Sequence, residues 1–480
     1  MNRRAFLACV ATGALGGLLR PLGALAFPTV FPHGTTIYRP EKCWSGFTVF
    51  GTEVEDEGTV LIDMNGNVVH QWKHIGQMDH PNKILKGGYL AGAMRPSPEK
   101  KGRIWGLEDS SDLAVVDFNG RVVRDIARAG MHHDFQFQGN PVGYHAPAMP
   151  LDNFKGTMLV LSNKIVQKPA ITDKDLLDDV IYELDAKNNI VWSWLGSDHW
   201  EEMGFTPEML ATMRKYPSYS MTRNAGVKGG DWIHANAVSY LGPNKWFEQD
   251  PKKYAAFNPA NIIVSCRQTN TSFIIDKVEG KIVWRIGPLY YPEIVWEFAG
   301  EQFSRAYRKL GQIIGQHHTH MIPKGLPGEG NVLIYDNGGY AGYGPRNPGA
   351  HEGWSDARRD YSRVLEINPC NLKIVWEHSA KEMGMRNKYQ FYSDYVSSAQ
   401  RLPNGNTLIT NGAVGQFQEV TPDHEIVWEY ISPYYNKRGK YNLVYRAYRV
   451  PYDYVQQIAK PVENPVIPPD NEIFRIKYGS

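Results

Sequence analysis

The chain has 480 residues, 42% hydrophobic and 21% charged, with 52 Lys plus Arg against 50 Asp plus Glu. This is an ordinary globular composition, which excludes disorder or a fibrous repeat for the bulk of the chain. A net charge of +2 lacks the basic surplus that nucleic acid or an anionic membrane calls for, so neither is expected as a partner.

Residues 1–26 read as an export signal. Asn2-Arg3-Arg4-Ala5-Phe6-Leu7 precedes a small apolar run that ends in Ala24-Leu25-Ala26, an A-x-A cleavage pattern. The paired arginines followed by x-Phe-Leu resemble a twin-arginine signal, so the translocon of that route is an expected partner and the periplasm the expected location. Cleavage removes Arg3, Arg4 and Arg20, leaving a mature formal charge of −1. No later stretch is long and apolar enough to span a bilayer. Cys9 leaves with the signal, and Cys43, Cys266 and Cys370 remain, with no C-x-x-C pair; buried, unreactive thiols are expected, with at most one disulfide.

From residue 61 onward one phrase recurs: an apolar pair, an acid, a Gly/Asn turn, a second apolar pair and usually Trp. It occupies 61–72 (LIDMNGNVVHQW), 115–126, 182–192, 274–284, 365–376 and 418–428. Each copy has the signals of a hairpin. A second phrase alternates with it, a strand, a Pro/Asn/Gly turn and a β-rich strand, clearest at 402–410 (LPNGNTLIT) and weaker at 86–92, 156–161, 261–265 and 322–335. Two hairpins per unit and six units predict an all-β fold, a six-bladed β-propeller filling residues 27–480 as one domain. Helical patches are expected only in the insertions, at 206–215 and 301–314.

In a propeller the innermost strand of each blade lines the channel, so the residues opening the second phrase carry the functional interest. There the chain places His80, His133, His234, His318 with His320, and Ser397 with Ser398. Arg95, Asn163 with Lys164, Arg267, Asp336-Asn337-Gly338 and Asn411 stand at the far ends of the same strands. Neutral imidazoles with an arginine suit a compact oxyanion, which a guanidinium binds with two parallel hydrogen bonds. Three histidines also suit a divalent metal, although no carboxylate accompanies them at ligand spacing, and no metal is expected.

At these residues the chain resembles the bacterial arylsulfate sulfotransferases that work without a phosphoadenosine cofactor. The likeness runs from about Phe47 to Arg449 and rests on Trp232-Ile233-His234-Ala235-Asn236 before Ile263-Val264-Ser265-Cys266-Arg267, similar to the family's W-x-H-x-N…S-x-R. Gln316-His317-His318-Thr319 before Asp336-Asn337-Gly338 is similar to its Q-H-T…F-D-N-G; Tyr361-Ser362-Arg363, Phe391-Tyr392-Ser393 and Tyr445-Arg446-Ala447 match further phrases.

The resemblance implies a six-bladed propeller, no cofactor, and ping-pong transfer of a sulfuryl group from a phenolic sulfate donor to a phenol acceptor through a sulfohistidine. It makes His318 the nucleophile by motif, in a run where His317 and His320 remain alternatives. His234, Asn236 and Arg267 would hold the sulfuryl oxygens. His133, whose His-Asp is similar to the family's His-Glu, would handle the phenolic proton, with His145 as the alternative. His320, Tyr392 and Ser397 are expected at the substrate, Ser397 because Val396 stands where the family has Thr. Tyr340, Tyr343 and Tyr395 are further candidates for the aromatic mouth. Two other readings stay open on the residues alone: a propeller hydrolase or lyase, metal-dependent or not, and a non-catalytic ligand-binding propeller.

Overall fold

The turn of the recurring phrase explains its acid. Asp63 accepts hydrogen bonds from the backbone amides of Asn65 and Asn67, Asp117 from those of Asn119 and Arg121, Asp185 from Lys187 and Asn189, and Asp276 from Val278 and Glu279. A short carboxylate satisfying the amides just beyond it is what makes Asp a turn residue. The tryptophan has an equally local cause. The indole N–H of Trp72 donates to the carbonyl of Asp117, Trp192 to Lys277, Trp284 to Pro369, Trp376 to Pro422 and Trp428 to Met64, at 2.8–3.1 Å. Every acceptor lies in the turn of the next unit. In the one copy without Trp, Arg124 reaches the Asp185 carbonyl instead, at 3.0 Å. Each unit is thus latched to its successor, and the sixth is latched to the first.

The computed structural model describes residues 32–469 except 53, 55–56, 77–79, 95–111, 128–130, 141, 150–153, 218–229, 289–296, 345–357 and 437–440; the signal at 1–26 and Arg95 lie outside them. Six sheets of four or five strands form the blades, antiparallel except where Gly230–Asp231 joins Asp175–Leu184 in parallel. Blade 1 runs outward through Ala447–Val450, Phe47–Gly51, Thr59–Ile62 and Val68–Trp72. Blade 2 is Lys83–Leu85, Tyr89–Ala93, Asp112–Val116 and Val122–Ala127; blade 3 is Met131–Phe137, Met158–Gln167, Asp175–Leu184 and Ile190–Leu195. Blade 4 is Ala235–Tyr240, Ile262–Cys266, Thr271–Ile275 and Ile282–Ile286; blade 5 is His317–Met321, Val332–Asp336, Arg363–Ile367 and Ile374–His378. Blade 6 is Ser398–Arg401, Thr407–Asn411, Gln416–Val420 and Ile426–Ile431, extended by Gly34–Tyr38. The repeated phrase is therefore the outer hairpin of each blade and the second phrase the inner one.

Two pairings join the ends of the chain: Phe47–Gly51 with Ala447–Val450 in blade 1, and Gly34–Tyr38 with Ile426–Ile431 in blade 6. A ring closed this way leaves no gap between its first and last blades. The inner strands are buried along their whole lengths and pack on one another. Helices occur where expected, at Pro207–Lys215, capped by the Thr206 hydroxyl accepting from the Met209 amide, and at Ser304–Leu310, and also where none was expected, at Lys245–Gln249, capped by the Asn244 side chain accepting from the Phe247 amide. Cys43, Cys266 and Cys370 are all free thiols.

Candidate active site

Three inner strands share one local irregularity. His133, His234 and His318 have φ of 55°, 53° and 54°, the left-handed region in which a non-glycine residue is uncommon and glycine costs least. At each the ladder slips. Phe135 faces Val160 but Met131 faces Ser162; Ala235 and Ala237 face the consecutive Cys266 and Ser265; His317 faces Tyr335 but His320 faces Leu333. A bulge of this kind re-aims side chains near the end of a strand. Its recurrence with histidine in blades 3, 4 and 5 establishes these as equivalent positions of the repeat.

The bulges gather His133, His234 and His317 with Arg267. The rings of His133 and His234 lie 4.8 Å apart and nearly perpendicular, with Tyr445 5.7 Å from His133. Burial holds His133 well below the usual imidazole range, and the neighbouring His234, His132 and His317 push the same way. Burial does the same to His317, with the Arg267 cation the next cause. These rings are therefore neutral near pH 7.

Their tautomers follow from their partners. Nδ1 of His317 is 2.8 Å from Asn337 Oδ1 and 3.0 Å from the Gly315 carbonyl. Asn337 is itself fixed, because its Nδ2 donates to the carbonyls of Ser393 and Val396. Nδ1 thus carries the proton and Nε2 the lone pair. His234 is tied through Nδ1 to Asp231 Oδ2 at 2.5 Å, which likewise turns Nε2 outward from the carboxylate.

Arg267 is 7% exposed, and among the described residues no carboxylate lies within salt-bridge distance of it. One guanidinium nitrogen donates to the Tyr340 carbonyl at 3.2 Å, the Tyr340 ring lies 5.4 Å away, and Nε has no partner. Burial lowers its pKa, while Tyr340, Asp394, Asp231 and Tyr392 act on it electrostatically in the opposite sense. A buried cation with spare donors is suited to an anion, because charge left unpaired in a low dielectric is costly.

His318, expected as the nucleophile, is drawn into a different group. Its ring lies 4.3 Å from that of His320 and 5.8 Å from Tyr448, and its Nε2 is 3.4 Å from the Tyr448 hydroxyl. After burial, the charges that depress it are Arg446, His320 and Lys83. This group is built on Asp134, which binds Lys83 at 3.0 Å and Arg446 at 2.9 Å, all three essentially inaccessible to solvent. His320 spends both ring nitrogens within the protein, on the His318 carbonyl and the Tyr144 hydroxyl.

The remaining expected residues divide. Asn236 is at the site, but its amide donates to the Gln316 carbonyl at 2.7 Å, bracing the residue before His317. Tyr392 is half-buried beside Arg267. The Ser397 hydroxyl is occupied in a turn, donating to Ser393 Oγ and accepting from the Gly412 amide. His145 is elsewhere, stacked on Trp44 and bonded to Tyr454. Tyr343 donates to the Trp232 carbonyl, whereas Tyr340 and Tyr395 are about 40% exposed. Within Asp336-Asn337-Gly338, Asp336 binds Arg359 and Arg363, and Gly338, at φ 80°, has no room for a Cβ against the Tyr361 carbonyl. Asp231 and the orienting role of Asn337 escaped sequence reasoning; Asp231 could have been found as the carboxylate three residues before His234.

Six buried histidines have lowered pKa values: His133, His317 and His318, with His80 pushed down to about 3 and His320 and His378 to about 4, burial being the largest cause in each. The unfolded chain, with imidazoles near about 6.5, binds more protons than the folded one below that pH. Stability should therefore be flat with respect to these groups above about pH 6.5 and fall as pH drops below it. Urea midpoints between about pH 7.5 and 5 test this; equal midpoints across that range contradict it.

Fold and site together define a class: a six-bladed β-propeller whose inner strands bring buried imidazoles together with a buried arginine that has no carboxylate within salt-bridge distance among the described residues. The chain belongs to the Arylsulfotransferase (ASST) family, which it matches over residues 36–442, and this membership implies aryl sulfotransferase activity. No curated protein matches the chain significantly. Among solved structures it is similar to a protein of unknown function from Bacteroides caccae, at 12% identity and a TM-score of 0.42, covering 85% of this chain and 99% of that one. It is also similar to the β-propeller domain of Myceliophteria thermophila Cps50 (Swd1), at 8% identity and a TM-score of 0.35, covering 85% and 89%.

Proposed function

We propose that the protein moves a sulfuryl group from a phenolic sulfate ester to a phenol in two displacements, through a sulfohistidine on His317. The observation that carries this reading is the nearness of Arg267, which has no carboxylate partner among the described residues, to an imidazole whose Nδ1 is committed to acceptors. The guanidinium binds the sulfuryl oxygens as preorganised donors. Nε2 of His317 forms the S–N bond as the S–O bond to the phenol breaks, and the phenolate leaves. Asn337 and the Gly315 carbonyl hold the proton of the resulting imidazolium at Nδ1. In the second displacement an acceptor phenol gives its proton to His133, its oxygen attacks sulfur, and His317 is released. Tyr340, Tyr392 and Tyr395 form the rim against which phenolic rings pack.

The choice of His317 over His318 follows the contacts of each ring: His317 Nδ1 is fixed by Asn337 and Gly315, whereas the His318 ring packs on His320 and Tyr448. The leader at 1–26 supports export by the twin-arginine route and a periplasmic site of action.

Release of 4-nitrophenol from 4-nitrophenyl sulfate should rise with added phenol and give parallel double-reciprocal plots. Acceptor-independent release would instead favour a hydrolase. Arg267→Met should lower transfer by about 10²–10³-fold, the usual loss for one oxyanion donor, with the fold retained; an active Arg267→Met enzyme contradicts the assignment.

A further inference from the structure

The loop between blades 5 and 6 carries a carboxylate with no task in the transfer itself. Asp394 is half-buried, and among the described residues no group but its own amide donates to its oxygens or lies within salt-bridge distance of them. The loop is pinned to both halves of the site. Asn337, which orients His317, donates to the Ser393 and Val396 carbonyls on either side of Asp394. The backbone of Asp394 packs so closely on Gly339 that no Cβ would fit there. Gly339 precedes Tyr340, whose carbonyl accepts from Arg267 and whose ring lies 5.4 Å from that guanidinium. Asp394 is therefore fixed near Arg267, beyond direct pairing but close enough for each charge to act on the other's ionisation.

The other charges of this mouth are weaker claimants. Arg359 is committed to Asp336. Arg358 lies 5.8 Å from the Tyr340 ring but is exposed, and exposed charges are screened by water and salt. Both arginines act on Tyr392, with Asp394 and Asp360 acting in the opposite sense. When sulfuryl oxygens occupy Arg267, the positive charge that opposes Asp394 is neutralised. A half-buried carboxylate is then left beside aromatic rings, and a cation on the substrate removes that cost.

We infer that Asp394 is a specificity-determining residue that favours phenols carrying a protonated amine on a short side chain, an inference that rests on the proposed sulfuryl transfer. The ammonium donates to the Asp394 carboxylate and lies against the rings of Tyr340 and Tyr392, while the phenolic oxygen faces sulfur. No bond forms or breaks at Asp394, so its contribution is binding and appears in the KM for the acceptor.

The test compares three acceptors of similar phenol acidity, with 4-nitrophenyl sulfate as donor: 4-(2-aminoethyl)phenol, the neutral 4-(2-hydroxyethyl)phenol and the anionic 3-(4-hydroxyphenyl)propionate. Wild type should favour the ammonium over the neutral acceptor about tenfold in kcat/KM, the size of one partly shielded charge-assisted hydrogen bond. Added salt should shrink that preference. Asp394→Asn, with Asp394→Ser as a second variant, should bring the ratio to within about twofold of one. A wild-type ratio near one, a preference for the carboxylate, or a wild-type ratio in both variants overturns the inference. Titration calorimetry of the same three compounds separates binding from chemistry. If wild type releases no nitrophenol in response to acceptor, the transfer reading fails, and the order of affinities in wild type and variants still decides the role of Asp394. If one variant does not fold, the acceptor ratio of the other decides.

Discussion

Replacing His317 by asparagine is expected to abolish sulfuryl transfer, with a loss on the order of ten-thousand-fold or more, as for removal of the nucleophile in other covalent catalysts. Asparagine is close in size, and the surroundings that fix His317 do not depend on its ring. Asn337 keeps its bonds to the Ser393 and Val396 carbonyls, and Gln316 keeps its bonds to the Cys266 and Thr271 carbonyls. The fold should therefore survive, and circular dichroism and the urea midpoint should stay near wild type. The same substitution at His318 should act differently. Its ring fills space between His320 and Tyr448, so its loss should cost about 1–3 kcal/mol of stability and leave the folded fraction able to accept a sulfuryl group. An inactive His318→Asn with an active His317→Asn would reverse the assignment.

The second large effect concerns Asp134. Its carboxylate sits between Lys83 and Arg446, with side-chain exposures of 1%, 0% and 0%. Arg446 also donates to the Asn236 carbonyl at 2.6 Å, and the Tyr445 hydroxyl donates to the same atom. Asp134 thus anchors a strut from blade 1, at the joined ends of the chain, to the strand that carries Asn236 and braces Gln316. Taking away one partner of a buried ion pair leaves uncompensated charge, which costs about 3–5 kcal/mol. Asp134→Asn should lower the urea midpoint accordingly, and adding Lys83→Met should recover part of the loss, because one of the two stranded cations is removed. Equal stability of Asp134→Asn and wild type, or further destabilisation by Lys83→Met, would show that the layer is not held by charge.

Much of the fold was legible because the outer hairpin repeats a local device. An aspartate closes the turn in four of the six copies, with Asn368 and Thr421 in its place in the other two, and a tryptophan reaches the next turn in five. Blade 1 was not legible in the same way. Its inner hairpin is divided between Phe47–Gly51 and Ala447–Val450, and no local pattern announces a pairing across 400 residues.

At the site, the repeat position of His133 and His234 could be read from the sequence, and the structure brings them together with Arg267. The choice among His317, His318 and His320 could not. Alternation along a strand would put adjacent residues on opposite faces, and the ladder slips between His317 and His320, which breaks that alternation just where it matters. His145 shows the opposite limit. It lies in an insertion, and only the packing against Trp44 and Tyr454 separates it from the site. The polar atoms of Ser397 and His320 are occupied by the protein itself, a property no spacing reveals.

The most direct measurement is mass spectrometry of the protein quenched shortly after exposure to 4-nitrophenyl sulfate without acceptor, with fragmentation gentle enough to keep an S–N bond. One sulfuryl group on His317, lost on adding phenol and absent from His317→Asn, is the expected result. A sulfuryl group on His318 or on any other residue, or turnover without an adduct, would contradict it.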